Sequence, residues 1–336
     1  MNNTEGLKEL LATPKKIFIT THRKPDGDAL GSALALYHYF LKKGHDPVVM
    51  SPTDYGMFLH WMPGNDAVAI WEENRDKAKR ILAGTDIIFC LDFNALPRIE
   101  EMAEPIRKTN VPKVMIDHHL EPEGFDDYRL WNPDACATAE LIYEFICQMG
   151  DGDLIDKDIA TCIYTGIVTD SGSFRYANVT PHVHRITAHL IECGVDHSQV
   201  HRNVFDTSSE NRLRFIGHCI KEKMIVLPDY RSAYITVNRQ ELKEYDIQTG
   251  DTEGLVNFPL SIDVVSFAVL IVEREGIVKL SLRSKGSFPA NEFAKKYFEG
   301  GGHHNAAGGK SDLSIEKTVA RFLEGLEEYK SLLLNS

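Results

Sequence analysis

The feature that most constrains this chain is an alternation confined to its first half. Short β-like runs at 17–20, 47–50, 86–91 and 113–116 are interleaved with segments of helical periodicity at 29–43 and 74–82. The first helical segment stops at Gly44, a natural residue for a left-handed helix end. Strands separated by helices form βαβ units, which build a mainly parallel sheet flanked by helices. From 135 to about 224 the pattern is mostly helical, with amphipathic segments at 137–149, 157–169, 181–193 and 208–223. The character then changes. Residues 232–237, 264–272 and 277–282 read as strands and 291–298 as a helix; a glycine-rich loop follows, and a terminal helix begins near 314. A chain of 336 residues has the length for two domains. The expected division is a first α/β domain over 1–205, a connector helix over 206–228, and a smaller α/β domain over 229–336.

Composition narrows the function classes. With 37 Lys and Arg against 49 Asp and Glu, the net charge of −12 makes the chain a poor coat for long duplex nucleic acid or an anionic membrane. It leaves room for a small anionic substrate in a locally basic pocket. The six cysteines contain no C-x-x-C pair, so cysteine-ligated zinc is not expected, and most of them read as small buried hydrophobes in a reducing compartment. Lys15 and Lys16 interrupt the first apolar run, so no signal-peptide core is formed. The longest apolar run, 267–272, falls far short of the roughly 18–20 residues that span a bilayer. The expectation is a cytoplasmic protein without a membrane partner.

In open α/β sheets, ligands bind beyond the carboxyl ends of the strands. The first strand is followed by Thr21-His22-Arg23-Lys24-Pro25-Asp26-Gly27-Asp28, the 86–91 strand by Asp92, and the 113–116 strand by Asp117-His118-His119. Three separate strand ends thus deliver carboxylates and imidazoles to one edge of one sheet. Each alone is weak, since a strand-end Asp is more often a helix cap or turn residue. Together they form a cluster that repels itself unless cations hold it. Mixed Asp/His ligation without Cys suits Mn²⁺, Co²⁺, Fe²⁺ or Zn²⁺ better than Mg²⁺. Asp26 and Asp28 flank Gly27, a spacing that lets two carboxylates point at two adjacent metal positions. Asp170 ends an apolar helical run and, by itself, reads as a helix-terminal turn residue.

The second domain carries Gly300-Gly301-Gly302-His303-His304-Asn305-Ala306-Ala307-Gly308-Gly309. Glycines there free the backbone for positive φ and close approach to a ligand, and successive N–H groups can cradle an anion. Between Lys279 and Lys310, six basic residues face two acidic ones, inside an acidic chain. Arg283, at the end of the 277–282 strand, is placed to grip phosphate bidentately. Lys295 and Lys296 read as a solvated helix face.

These blocks resemble the DHH phosphoesterases, in the subgroup with a C-terminal DHHA1 domain. The match rests on His22-x-x-x-Asp26-x-Asp28, Asp92, Asp117-His118-His119 and Asp170 in the first domain. In the second it rests on Gly300-Gly301-Gly302-His303 with Ala306-Ala307-Gly308. The resemblance implies an N-terminal DHH domain with a mainly parallel sheet flanked by helices, a smaller α/β DHHA1 domain, and an active-site cleft between them. It implies two divalent ions, most often Mn²⁺, one held by His22, Asp26 and Asp92 and the other by Asp28, Asp92, His118 and Asp170. Asp92 would bridge the two, acting as a catalytic residue together with His119 and Asp117. His119 would stand beside the scissile phosphate as general acid or electrostatic stabiliser, with Asp117 orienting the histidines. Two such cations would acidify a water that attacks phosphorus. Arg283, Ser284, Gly301, Gly302, His303 and His304 would meet substrate phosphate or base, the part played by His304 being left open.

Within the family, the RecJ-type exonucleases are larger, the family II pyrophosphatases have a different second domain, and the membrane-bound cyclic dinucleotide phosphodiesterases carry added segments. What remains resembles the stand-alone oligoribonuclease (nanoRNase)/pAp phosphatases. The implied activity is metal-dependent hydrolysis of short single-stranded oligoribonucleotides such as pApA, and of 3′-phosphoadenosine 5′-phosphate (pAp) to AMP. The alternatives are a soluble cyclic di-AMP phosphodiesterase and, with less support, a non-catalytic nucleotide-binding regulator. The resemblance suggests a homodimer without fixing the oligomeric state.

Overall fold

The structure, a computed structural model, describes residues 3–248 and 250–335. It divides into two compact units, Met1–Thr207 and Ser208–Ser336.

In the first unit, helix α1 (Thr4–Leu10) precedes β1 (Lys16–Thr21), α2 (Gly27–Lys42), β2 (Asp46–Ser51), β3 (Val68–Ile70), α3 (Arg75–Ala83) and β4 (Ile87–Leu91). Next come a 3₁₀ segment (Leu96–Met102), α4 (Ala103–Lys108), β5 (Lys113–Asp117) and β6 (Tyr128–Trp131). Four helices close the unit: α5 (Thr138–Gln148), α6 (Lys157–Asp170), α7 (Pro181–Glu192) and α8 (His197–Phe205). The strands form one six-stranded sheet in the order β3-β2-β1-β4-β5-β6, parallel at every pairing. The chain winds outward from β1 on one side and restarts at β4 on the other, so the crevice between the carboxyl ends of β1 and β4 is the topological switch point.

Both faces of this sheet are covered, which is why its central strands carry consecutive apolar residues, Ile17–Ile19, Ile87–Leu91 and Val114–Ile116, rather than alternating ones. Ile17, Ile19, Ile87, Phe89, Leu91, Val114 and Ile116 pack with α2, α5 and α6 on one face. The intervening Phe18, Ile88 and Cys90 pack with α3, α4 and the 3₁₀ segment on the other. Helix α2 is buried almost all round, and small residues let it approach α6 closely. A Cβ at Gly31 would lie 2.5 Å from the Cys162 carbonyl oxygen.

The second unit holds α9 (Glu210–His218), β7 (Met224–Leu227), β8 (Ser232–Val237), α10 (Arg239–Glu244), α11 (Asn257–Leu260), β9 (Phe267–Arg274) and β10 (Ile277–Ser284). It ends with α12 (Ala290–Tyr297), β11 (Gly301–His303), β12 (Ala306–Ser311) and α13 (Ile315–Asn335). Its sheet runs β11-β12-β10-β9-β8-β7; β8 and β9 are parallel and the other pairs antiparallel. Phe267, Val269 and Ile271 pack against Phe293 of α12 and Phe322 of α13, while Ala268, Leu270 and Val272 face Phe215 and Leu255.

The glycine-rich segment differs from its expected form. It is a strand pair, not a loop: Gly301, Gly302 and His303 pair with Gly308, Ala307 and Ala306, leaving only His304 and Asn305 at the tip. Gly302 sits at φ 141°, and a Cβ there would meet the Ala306 carbonyl oxygen at 2.5 Å, so the glycine is what allows the two strands to close. Among the described residues no helix is long and apolar enough to cross a membrane, and all six cysteines are unpaired.

The close approach of α2 to α6 gives a direct check. Gly31→Val forces a branched side chain onto the α6 backbone and should destabilise the protein by about 1–3 kcal/mol, read by denaturant unfolding. An unchanged midpoint would contradict the packing described.

Candidate active site

The site is built at the switch point, by residues whose backbones are placed for local reasons. Asp26 caps α2: its Oδ1 accepts from the Asp28 and Ala29 amides, both at 3.0 Å. That leaves Oδ2 turned toward His22 Nε2, 3.9 Å away. Asp92, immediately after β4, has φ 63°, a left-handed conformation that Asp tolerates better than most residues and that re-aims the chain just where the strand ends. Asp117 closes β5, and Asp170 is the last residue of α6.

Asp28 is held by a helix far away in sequence. The residue preceding α5 is Ala137, which offers no capping side chain. The free amides of Thr138 and Ala139 donate instead to Asp28 Oδ2 and Oδ1, at 2.7 and 2.8 Å. A helix N-terminus favours an anion in this position. The Thr138 hydroxyl also donates to Asp92 Oδ1 at 2.9 Å, tying the two buried carboxylates to one turn of helix. Reading the sequence alone missed Thr138. Its only signal is indirect: a helix that starts without its own N-cap must find an acceptor elsewhere.

Two imidazoles are fixed in the same sense. His22 Nδ1 donates to the Arg23 carbonyl at 2.7 Å, and His118 Nδ1 donates to the Ala135 carbonyl at 3.1 Å. A carbonyl can only accept, so in each ring Nε2 is the nitrogen turned toward the carboxylates. His22 Nε2 lies 3.3 Å from Asp92 Oδ2. His118 Nε2 lies 3.5 Å from Asp170 Oδ2, 3.6 Å from Asp92 Oδ1 and 3.8 Å from Asp28 Oδ2. Asp28, Asp92 and His118 are nearly solvent-free, at 1, 1 and 3% exposure.

Lone pairs facing lone pairs out of water need either protons or cations. Without cations, the charges sort themselves as follows. Burial raises the Asp28 carboxyl well above its usual range, and the Asp92, Asp170 and Asp26 charges add to this; the Ala139 amide offsets only part. Burial pushes Asp92 the same way, but the hydrogen bond from His22 and the nearby imidazoles of His119 and His118 outweigh it, and Asp92 stays well below the usual carboxylate range. Burial works against a charged His118, yet Asp170 and Asp92 raise it; for His22 the Asp92 hydrogen bond and Asp26 do the same against burial. His119 goes the other way. Burial and the Arg98 charge lower it despite the Asp117 Oδ1 bond at 2.8 Å.

The donor set fits divalent cations. Ligand atoms of His22, Asp26 and Asp92 lie within 4.8 Å of one another, and so do those of Asp28, Asp92 and His118. Nitrogen and oxygen ligands about 2 Å from a shared cation stand roughly 3–3.5 Å apart, close to the shorter spacings here. Imidazoles anchored through Nδ1 to carbonyls are the usual arrangement for metal-binding histidines. Asp92 belongs to both groups, and among the described residues Asp117 Oδ2 is buried without a hydrogen-bond partner beside them.

The second unit presents its candidates in a row. Arg283 of β10 and His303 of β11 both pair with Ala306 of β12, and residues directly opposite in antiparallel strands share a face. A guanidinium and an imidazole therefore flank one small side chain on the same surface. Ser284 is engaged inside the unit: its hydroxyl donates to the Phe288 carbonyl at 2.7 Å and accepts from Asn305 Nδ2 at 2.8 Å. His304 Nε2 is bonded to the Ser287 carbonyl at 3.2 Å, which pins the hairpin tip. A Cβ at Gly301 would meet nothing within 4 Å, in contrast to Gly302.

The chain is similar to known proteins over most of its length. Residues 16–167 match the DHH family N-terminal domain and residues 231–331 the DHHA1 domain. The bifunctional oligoribonuclease and PAP phosphatase NrnA of Thermus thermophilus is 32% identical over 95% of this chain and 91% of its own length. The cyclic-di-AMP phosphodiesterase GdpP of Bacillus subtilis is 24% identical over 97% of this chain, which spans half of that protein. The crystal structure of an exopolyphosphatase-related protein from Bacteroides fragilis superposes with a TM-score of 0.94 at 40% identity, covering 98% of this chain and 97% of that one. The chain belongs to the DHH family, in the branch that also carries a DHHA1 domain, and is a hydrolase of phosphate esters.

Two outcomes follow. Because His22 and His118 are raised from their ordinary values and a cation competes with protons for the same groups, adding Mn²⁺ to metal-free protein near pH 6–7 should release protons, measurable in a pH-stat. The apparent metal affinity should rise with pH over that range. Asp92→Ala should abolish Mn²⁺ binding in calorimetry while keeping the circular dichroism of the parent; binding of Mn²⁺ at parental affinity would contradict the assignment.

Proposed function

We propose that the protein hydrolyses very short single-stranded oligoribonucleotides such as pApA to mononucleotides, and pAp to AMP, using two divalent ions of which Mn²⁺ is the expected occupant. The observation that carries this is the pair of overlapping ligand groups around Asp92, in a chain that matches a relative named for those two activities over 95% of its residues. His22, Asp26 and Asp92 would hold one ion, and Asp28, Asp92, His118 and Asp170 the other. When bound, such ions supply Lewis acidity toward phosphoryl oxygens and acidify water.

The chain's own residues do the rest. Asp28 and Asp92 are immobilised by α5, so the acceptors are set before substrate arrives and do not need to reorganise. Asp117 accepts the Nδ1 proton of His119 at 2.8 Å and so leaves Nε2 to exchange a proton with the substrate or with water. Burial and Arg98 hold this imidazole below its ordinary range, so a proton it takes up would be passed on readily to the leaving oxygen. Arg283 and His303 would grip the terminal phosphate, with the small Ala306 between them leaving space for it.

Hydrolysis of cyclic di-AMP is a second reading, favoured by the similarity to GdpP along nearly the whole of this chain. With Mn²⁺ and equal concentrations of pApA, pAp and cyclic di-AMP, the expected result is rapid AMP formation from the first two and an intact cyclic compound. Efficient opening of the cyclic compound would move the protein to the second reading, and failure to hydrolyse all three would remove both. Asp117→Asn should lower kcat on pApA by about 10²-fold with little change in KM.

A further inference from the structure

Trp131 has no part in the chemistry described above, yet it ends the edge strand beside it. In the parallel pairing of β5 and β6, Trp131 stands directly opposite Asp117, about 4.8 Å away as neighbouring strands are. Its indole Nε1–H donates to the His119 carbonyl at 2.7 Å, so the ring is pinned to the Asp117–His119 pair. The preceding Leu130 is buried in the core, whereas Trp131 is 37% exposed, as is Leu120, which follows His119.

The placement is unusual for a structural tryptophan. The other two tryptophans contrast with it: Trp71 is buried at 2% exposure, and Trp61 is packed against the core. In Trp131 the one polar group is satisfied and the ring direction is fixed, while much of the apolar surface remains in water. A large aromatic surface held rigid loses little conformational freedom on binding a flat partner. Next to a phosphate-ester site, the flat partner with the matching chemistry is a nucleobase, which stacks on aromatic side chains regardless of its identity.

We propose that Trp131 is the stacking platform for the base of one nucleotide flanking the scissile phosphate, and so a specificity-determining residue that favours nucleotides over base-free phosphate esters. This rests on the substrate class proposed above. The same hydrogen bond raises a competing role, a clamp that merely holds the His119 backbone, and the two separate cleanly: Trp131→Phe keeps a ring but loses the N–H, whereas Trp131→Ala loses both.

The test compares kcat/KM with Mn²⁺ on pApA and on analogues in which either nucleotide is abasic, for the parent and both variants. Stacking predicts that the parent prefers pApA to one abasic analogue by about 10- to 100-fold, that Trp131→Ala collapses this ratio toward one, and that Trp131→Phe keeps most of it. A preserved ratio in Trp131→Ala, or equal damage in both variants, would overturn the proposal. A binding arm separates it from the substrate reading. AMP should quench the parent's tryptophan emission where ribose 5-phosphate does not, and Trp131→Phe should lose that response. Quenching without cleavage of pApA would retain the platform and remove the substrate reading. Cleavage of pApA without quenching would do the reverse.

Discussion

Everything in the first unit is arranged around acceptor groups that cannot tolerate one another. Around the carboxyl ends of β1, β4 and β5, carboxylates, of which Asp28 and Asp92 are buried, and imidazole Nε2 atoms confront each other at 3.3–3.9 Å. A folded protein keeps such an arrangement only if something strong holds each group in place and something cationic relieves it. The holding is visible. Two amides and a hydroxyl from the first turn of α5 restrain Asp28 and Asp92, and backbone carbonyls orient His22 and His118. The relief is partial. Burial and the neighbouring carboxylates raise the Asp28 carboxyl, and the neighbouring carboxylates raise the two imidazoles against burial, so protons are drawn to the groups that would hold a cation. The site is thus strained toward cations by the same packing that makes the fold stable.

The fold explains why such a cluster can exist. A doubly covered parallel sheet supplies rigid strand ends, and the switch between β1 and β4 opens a crevice at their carboxyl ends. The close packing of α2 on α6, which needs Gly31, brings Asp28 near the start of one helix and Asp170 near the end of another. The second unit uses a different device. Its outermost strand pair closes only because Gly302 occupies φ 141°, and the register then sets Arg283 and His303 on either side of Ala306.

Much of this was legible in the sequence, for identifiable reasons. The central strands of the first sheet are continuous apolar runs, and each ends in a polar residue that has no place in a strand; both signals are local. For that reason Asp92 and the Asp117-His118-His119 block could be placed at one sheet edge before any coordinates. The short edge strands, β3 and β6, carry too few residues for a period to show, and with β6 went Trp131. The Gly301–His303 strand was read as a loop because glycine advertises freedom, whereas here it serves close pairing. Thr138 was invisible because its partners, Asp28 and Asp92, lie far from it in sequence. The engagement of Ser284 by Phe288 and Asn305 likewise depends on how a hairpin folds back, which no motif encodes.

The central claim is that the cluster around Asp92 is a two-cation site, and not a store of protons. The most direct test is anomalous diffraction at the manganese absorption edge from crystals of the Mn²⁺-loaded protein. The account predicts two peaks sharing Asp92 as a ligand, one also bound by His22 and Asp26 and the other by Asp28, His118 and Asp170. Absence of peaks at these residues, in protein that still hydrolyses phosphate esters, would contradict it.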